Sequence, residues 1–272
     1  MVTDTGPRHR VRGLVEDLRA LGLAPGHTVL AHTSLRAVGP TQGGAGGLLR
    51  ALREAVTPAG TVVVPTHTTD NSLTSRAYRE RVAGFTPAQK AAHHAAMPGF
   101  DADTTPSTGM GQLAERLRLT PGARRSAHPQ TSFAALGPMA EWLTLGHVLD
   151  CHLGERSPLG RLYRASAYVL LLGVGYDKCT ALHLAEYRLP DTRRQEYACA
   201  VATPDGTVWR SFTDIPLHDG DFALLGADLD EVEGAYGPLV RHGQVGSATA
   251  RFLPMVPAVD FAFQWFGEHR RC

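Results

Sequence analysis

Thr28-Val29-Leu30-Ala31, the segment Ala45 to Val56, and Thr61-Val62-Val63-Val64 decide the fold. The first and third are short apolar runs rich in β-branched residues, and they read as strands. The segment between them has the apolar spacing of an amphipathic helix. Upstream, Val11, Leu14, Val15, Leu18 and Leu21 recur at helical spacing, and Gly22 closes that helix. Pro25-Gly26 turns the chain into the first strand, and Pro58-Ala59-Gly60 leads into the second. Helix, strand, helix, strand is a βαβ-like opening, which calls for a sheet covered by helices.

Farther along, Met110 to Leu119 reads as a short helix. Ala167 to Gly173 contains a wholly apolar strand of the kind buried on both faces. Tyr197 to Val201 and Thr207 to Phe212 flank the turn Thr203-Pro204-Asp205-Gly206, a β-hairpin signal that makes part of the sheet antiparallel. A helix follows Asp219, and another runs from Val256 to about Glu268. Residues 67–107 show little periodicity and read as a long surface excursion, a loop type tied to binding or disorder. The expected fold class is α/β: a single mixed-sheet domain over residues 1–272, flanked by helices, with a β-hairpin in the C-terminal third. Residues 1–10 are expected to be flexible.

The 272 residues are 43% hydrophobic and 19% charged, enough to bury a full core. A formal net charge of +1 points away from a nucleic-acid surface and from a basic membrane patch. Cys151, Cys179, Cys199 and Cys272 form no CxxC pair, so neither a thiolate zinc site nor a disulfide framework is expected. They read as small core residues in a reducing compartment. The N-terminus carries no apolar signal region, and the longest apolar run, Ala167 to Leu172, is too short to span a bilayer. A cytoplasmic protein is expected.

Four segments could carry chemistry. The first, Ala31 to Gly39, follows a strand, and its hydroxyls, backbone N–H groups and Arg36 could hold a phosphate. It contains neither a dinucleotide-binding nor a P-loop pattern, and a plain polar turn explains it as well. The second is Thr180-Ala181-Leu182-His183-Leu184-Ala185-Glu186, with Thr180 as expected N-cap. His183 and Glu186, three apart, share a helix face, and a carboxylate beside an imidazole suits a general base. A histidine satisfied inside the fold accounts for the same spacing. The third is a scatter of acids and histidines: Asp70, His152, Glu155, Asp214, Asp219 and Asp221. Converging acids would attract a polycation, while solvated carboxylates and a helix cap explain the same residues. The fourth, Arg125-Ser126-Ala127-His128-Pro129, reads as a shaped loop entering an apolar segment.

Taken in order, these motifs resemble the aminoglycoside 3-N-acetyltransferases. The resemblance is carried by Leu21-Gly22-Leu23-Ala24-Pro25-Gly26, His32-Thr33-Ser34-Leu35, Pro65-Thr66-His67-Thr68, Arg125 to Pro129, Ser157-Pro158-Leu159, Leu170 to Gly175, His183 to Glu186, Asp221-Phe222 and Gly243 to Ala248. It runs from about residue 11 to about 266, and the ordered set is specific although each motif alone is weak. It implies an α/β fold unlike that of GNAT acetyltransferases. It implies acetyl-CoA as cosubstrate, no metal, and the 3-amino group of a 2-deoxystreptamine aminoglycoside as acceptor.

By the same resemblance, His183 is the base and Glu186 its partner. His32, Thr33, Ser34, Leu35, Arg36, Val38 and Gly39 form the coenzyme A stretch. Asp70, His152, Asp214, Asp219 and Asp221 fall among aminoglycoside contacts. Small-molecule partners only are implied, with a monomer or homodimer left open. Three alternatives remain: an acetyltransferase acting on another amine, a non-catalytic aminoglycoside binder, and a metal-dependent hydrolase using some of the thirteen histidines.

Overall fold

The computed structural model describes residues 8–190, 192–235 and 237–270. In chain order the elements begin α1 (Val11–Leu21), β1 (Thr28–Thr33), α2 (Leu35–Val38), α3 (Gly44–Val56), β2 (Thr61–Pro65), α4 (Arg76–Arg81), α5 (Pro87–Ala96) and α6 (Gln112–Arg118). Then follow β3 (Arg124–Arg125), β4 (Phe133–Leu136), α7 (Ala140–Thr144), α8 (Pro158–Arg164), β5 (Tyr168–Leu172) and α9 (His183–Glu186). The chain ends with β6 (Gln195–Thr203), β7 (Gly206–Asp214), α10 (Phe222–Asp230), β8 (Glu233–Gly234), β9 (Gly237–Pro238), β10 (Arg241–Val245), β11 (Ala248–Pro254) and α11 (Met255–His269).

A seven-stranded sheet with order β10-β11-β5-β1-β2-β4-β3 forms the middle layer. Its centre, β5-β1-β2, is parallel, and the outer pairings are antiparallel. Strand alternation sorts the core into two halves. Leu30, Val63, Val169 and Leu171 face one way, onto α8, α10 and α11 through Leu162, Phe222, Val259 and Phe266. Val29, Val62, Val64, Leu170 and Leu172 face the other way, onto α1, α3 and α6 through Leu18, Leu48, Leu52 and Leu117. Two apolar faces explain why the central strands are continuous Val/Leu runs rather than alternating ones. Gly22 closes α1 at φ +115°, in the left-handed region glycine adopts without steric penalty.

The parallel arrangement brings the carboxyl ends of β1, β2 and β5 to one edge. That edge is where open α/β sheets bind their ligands. Gly173 follows β5 at φ +66°, and a Cβ there would lie 2.5 Å from the Cβ of Ala37. Glycine therefore lets the chain after β5 pass close against α2, just beside that edge.

Several expectations need correction. The β6-β7 hairpin is longer than its sequence signal and forms its own two-stranded sheet. The antiparallel strands of the main sheet come instead from β3, β4, β10 and β11. Residues 67–107 hold two helices, α4 and α5, each capped by a side chain: Ser75 accepts from Tyr78 N, and Thr86 with Gln89 forms a capping box. The flexibility expected of residues 1–7 lies outside the described residues. His9 is anchored, bridged to Thr41 and bonded through Nε2 to Ser247 Oγ at 2.9 Å. Cys151, Cys179 and Cys199 are free and buried; Cys272 lies outside the described residues. No described helix is long and apolar enough to cross a membrane.

Candidate active site

The sheet edge opens into a cleft of about 740 Å³. Its walls come from the end of β1 and the start of α2 (His32 to Arg36), the segment after β2 (His67, Thr69), the segment after β5 (Asp177 to Thr180) and His183. Met110 and Leu217 close the sides. Ser34 caps α2 by accepting from Ala37 N at 3.3 Å, and its own N–H donates to Leu172 O at 2.9 Å. That pair of bonds ties the post-β1 turn to the neighbouring strand.

His183 is bonded to a buried carboxylate behind the cleft wall. Its Nδ1 lies 2.6 Å from Glu186 Oε2, and its ring packs on Phe222 at 4.8 Å between centroids. Glu186 is only 3% exposed, and its second oxygen accepts from His218 N at 3.1 Å and from Arg270 Nη1 at 2.5 Å. With a backbone N–H and a guanidinium both donating to its other oxygen, Glu186 is held as an ionised acceptor towards His183. In its neutral form the imidazole therefore carries its proton on Nδ1 and presents the lone pair of Nε2, the tautomer a base requires.

Two further imidazoles line the cleft. His32 is bonded through Nε2 to Thr180 Oγ1 at 3.3 Å. Burial, reinforced by the neighbouring His183, pushes its pKa down to about 3. Burial, and then the surrounding histidines, hold His67 down to about 3 as well, and its ring stands edge-on to Phe133. Both are neutral near pH 7, so the inner wall is polar without fixed charge. Burial pushes the Cys179 thiol up to about 12, which leaves it a poor nucleophile although it lines the cleft. Charge is confined to Arg36, Lys178, Asp177 and Asp219.

The predicted site residues separate into three groups. His183, Glu186 and His32 through Arg36 converge at one place. Val38 and Gly39 do not line the cleft: Val38 is fully buried in the core, and Gly39 sits against His9 and Ser247 at φ +86°. Of the predicted acceptor contacts, Asp219 alone reaches the cleft wall. Asp70 lines a separate cavity of about 300 Å³ and accepts from Thr108 Oγ1 at 2.6 Å.

His152 and Asp214 lie beneath the hairpin, at 3% and 1% exposure, and do not line the cleft. Asp214 Oδ2 accepts from His152 N and Nδ1, both at 2.7 Å, and from the Tyr187 hydroxyl at 2.6 Å. His152 Nε2 is bonded to Gln130 Oε1 at 2.8 Å and Asp214 Oδ1 accepts from Ile215 N at 2.8 Å, so every polar atom of the two side chains already has a protein partner. Asp221 is committed to Arg270 through two contacts of 2.6 Å. Thr180 is not a helix cap: it begins a short 3-10 turn that runs into α9, and its hydroxyl turns to His32 instead.

Sequence reasoning passed over His67, Thr180 as a cleft residue, and Arg270. His67 stands just past a strand end, as His32 stands at one, and that shared placement was the available signal. Among the described residues no three His, Cys, Asp or Glu side chains converge as metal ligands do.

A mixed sheet with helices on both faces, and a cleft with a buried His–Glu pair at the carboxyl edge of its parallel strands, defines an α/β enzyme fold. The family model for aminoglycoside 3-N-acetyltransferase matches residues 30–267, and the chain belongs to that family. The SPbeta prophage-derived aminoglycoside N(3')-acetyltransferase-like protein YokD of Bacillus subtilis (strain 168) is 36% identical over 266 residues, 96% of this chain and 93% of that protein. The crystal structure of YokD has a TM-score of 0.90 at 34% identity, covering 99% of this chain and 97% of that one. A structure of AAC-VIa bound to sisomicin has a TM-score of 0.82 at 33% identity, over 96% of this chain and 98% of that one. A binary structure of AAC-IIIb with CoASH has a TM-score of 0.81 at 31% identity, over 96% of this chain and 97% of that one.

Proposed function

We propose that the protein transfers the acetyl group of acetyl-CoA to the 3-amino group of a 2-deoxystreptamine aminoglycoside, with His183 as general base. The single observation that carries this reading is the 2.6 Å contact between His183 Nδ1 and Glu186 Oε2 at the cleft wall. CoASH in AAC-IIIb and sisomicin in AAC-VIa support the two ligand classes.

The cleft fits the donor. Arg36 and Lys178 offer cations, and Thr33 and Ser34 offer hydroxyls, towards a phosphate-bearing molecule. The neutral His32 and His67 leave the inner wall free of charge where an uncharged acyl group would lie. Acetyl-CoA supplies the activated thioester acyl group. His183 Nε2 takes the proton from the acceptor amine as its C–N bond forms and the C–S bond breaks, and then returns it to the departing thiolate. Glu186 holds the ring in the required tautomer and stabilises the cation formed. A positioned base of this kind contributes about 10²–10⁴-fold. Because the amine attacks the thioester directly, the buried Cys179 has no part in the transfer.

A second acceptor class is favoured by one observation. Of Asp70, Asp214, Asp219 and Asp221, only Asp219 lines the cleft, and the other lining acid, Asp177, is paired with Lys178, so the acceptor wall is less acidic than a polycation would best use. A smaller amine fits that wall too.

The test is His183→Ala, assayed by thiol release from acetyl-CoA with an aminoglycoside present, alongside calorimetric binding of coenzyme A. Turnover is expected to fall by at least about a hundredfold while coenzyme A still binds. Near-normal turnover would remove His183 from the mechanism.

A further inference from the structure

Arg270 follows α11, 84 residues from Glu186 in sequence and beyond the 30–267 span matched by the family model. It nevertheless completes the site from behind. Nη1 donates to Glu186 Oε1 at 2.5 Å, Nε and Nη2 grip the two oxygens of Asp221 at 2.6 Å each, and Nη2 also donates to His218 O at 2.7 Å. The guanidinium lies over the Phe266 ring, 3.7 Å from its centroid, and faces Phe222 at 5.9 Å. Phe222 is the ring against which His183 packs. The Arg270 side chain is 19% exposed, so solvent competes weakly for these bonds. None of its atoms lines the cleft.

We propose that Arg270 is a positioning residue for the base: it clamps Glu186 Oε1 so that Oε2 stays fixed on His183 Nδ1. The proposal rests on the reading of His183 as base and extends it to the C-terminal end of the chain. A carboxylate held at one oxygen only by a backbone N–H can rotate about its terminal torsion. One held by a planar fork that is itself anchored to a second carboxylate cannot. Asp221 is thus the anchor of the clamp rather than a contact for the acceptor, and the order of support is Asp221, Arg270, Glu186, His183. The other titratable groups near His183 are His32 after Leu30-Ala31 on β1, His67 after β2, Cys179 ahead of α9, and His218 and Asp219 ahead of α10. None of these five makes a side-chain bond to Glu186 among the described residues.

The experiment reads the tautomer of His183 in the free enzyme, by ring-nitrogen chemical shifts in protein labelled with ¹⁵N-histidine, with His183→Ala used to assign the signal. The wild type should show the Nδ1–H form alone. Arg270→Gln should show a mixture with the Nε2–H form, because Glu186 is no longer held to one position. Its kcat should fall about tenfold, the loss of one charge-assisted hydrogen bond, with the KM for acetyl-CoA unchanged. An Arg270→Gln protein whose His183 remains wholly Nδ1–H overturns the proposal. Should that variant not fold, Arg270→Lys decides: a point cation lacks the planar fork that grips both oxygens of Asp221 while donating to Glu186. A folded lysine variant with the wild-type tautomer and wild-type kcat overturns the proposal equally. Because the tautomer is read without acceptor or donor, its result stands apart from the transfer reading, which fails separately if His183→Ala still turns over.

Discussion

Glu186→Gln replaces one carboxylate oxygen by an NH2 group without changing the shape of the side chain. The buried site then has to choose an orientation. If the NH2 faces Arg270 Nη1 and His218 N, two donors at 2.5 and 3.1 Å meet a third donor. Each lost bond to a charged group costs about 1.5–3 kcal/mol, and the guanidinium has no way to become an acceptor. If the NH2 faces His183 Nδ1, at 2.6 Å, the imidazole relieves the clash by moving its proton to Nε2. The second orientation is therefore preferred. It leaves the lone pair pointing at the amide and an N–H pointing into the cleft, which is the wrong tautomer for a base. The expected loss in kcat is about 10³–10⁴-fold, the scale seen when a base is held in the wrong tautomer. The melting temperature should fall by a few degrees: the orientation chosen keeps the Arg270 and His218 bonds, but the buried ion pair loses its anion. The assay is thiol release from acetyl-CoA under saturating aminoglycoside, with thermal unfolding as control. A kcat within threefold of wild type would refute the reasoning, because it would show that the carboxylate does not set the tautomer.

Two further outcomes are expected. Asp214→Asn should destabilise the fold by about 3 kcal/mol, the cost of breaking a buried pair, which for a chain of this size lowers Tm by roughly 6–12 °C; thermal melts that coincide with wild type would contradict it. Burial opposes the ionisation of Asp214, but the bonds from His152 and Tyr187 outweigh it and hold the carboxyl below its usual range, so a neutral amide cannot replace it. Stability should also fall with acidification between about pH 6.5 and 4. Burial keeps His32 and His67 neutral down to about 3, His147 down to about 4, and His128 well below its ordinary value. The unfolded chain takes up protons at these positions in that window and the folded chain does not, so each histidine adds about 1.4 kcal/mol per pH unit to the slope. Urea midpoints measured from pH 7.5 to 5 check this, and a flat profile would contradict it.

Much of the sheet's centre was legible because its signals are local. The apolar runs of β1 and β2, the helix between them and the Gly22 cap each rest on a few adjacent residues. The His183–Glu186 pair was legible for the same reason, being three apart on one short helix. What periodicity missed lacked an apolar stripe. No residue of α5 is buried, so no stripe exists there to read, and only the capping pattern Thr86-Pro87-Ala88-Gln89 marks that helix. β10 is exposed at four of its five residues and carries no strand alternation. Long-range partners were illegible in principle. Asp214 meets His152 from 62 residues away and Arg270 meets Glu186 from 84, so nothing in local spacing separates a buried structural acid from one that faces a ligand.

The central claim is the transfer itself, and the identity of the product tests it most directly. Purified protein should be incubated with acetyl-CoA and gentamicin-, kanamycin-, neomycin- and apramycin-type compounds, and the products read by mass spectrometry and NMR. The account predicts a single added acetyl group on the 3-amino nitrogen of at least one compound, with thiol released in equal amount. Release of no thiol with any of them, or acetylation at another nitrogen, would contradict it.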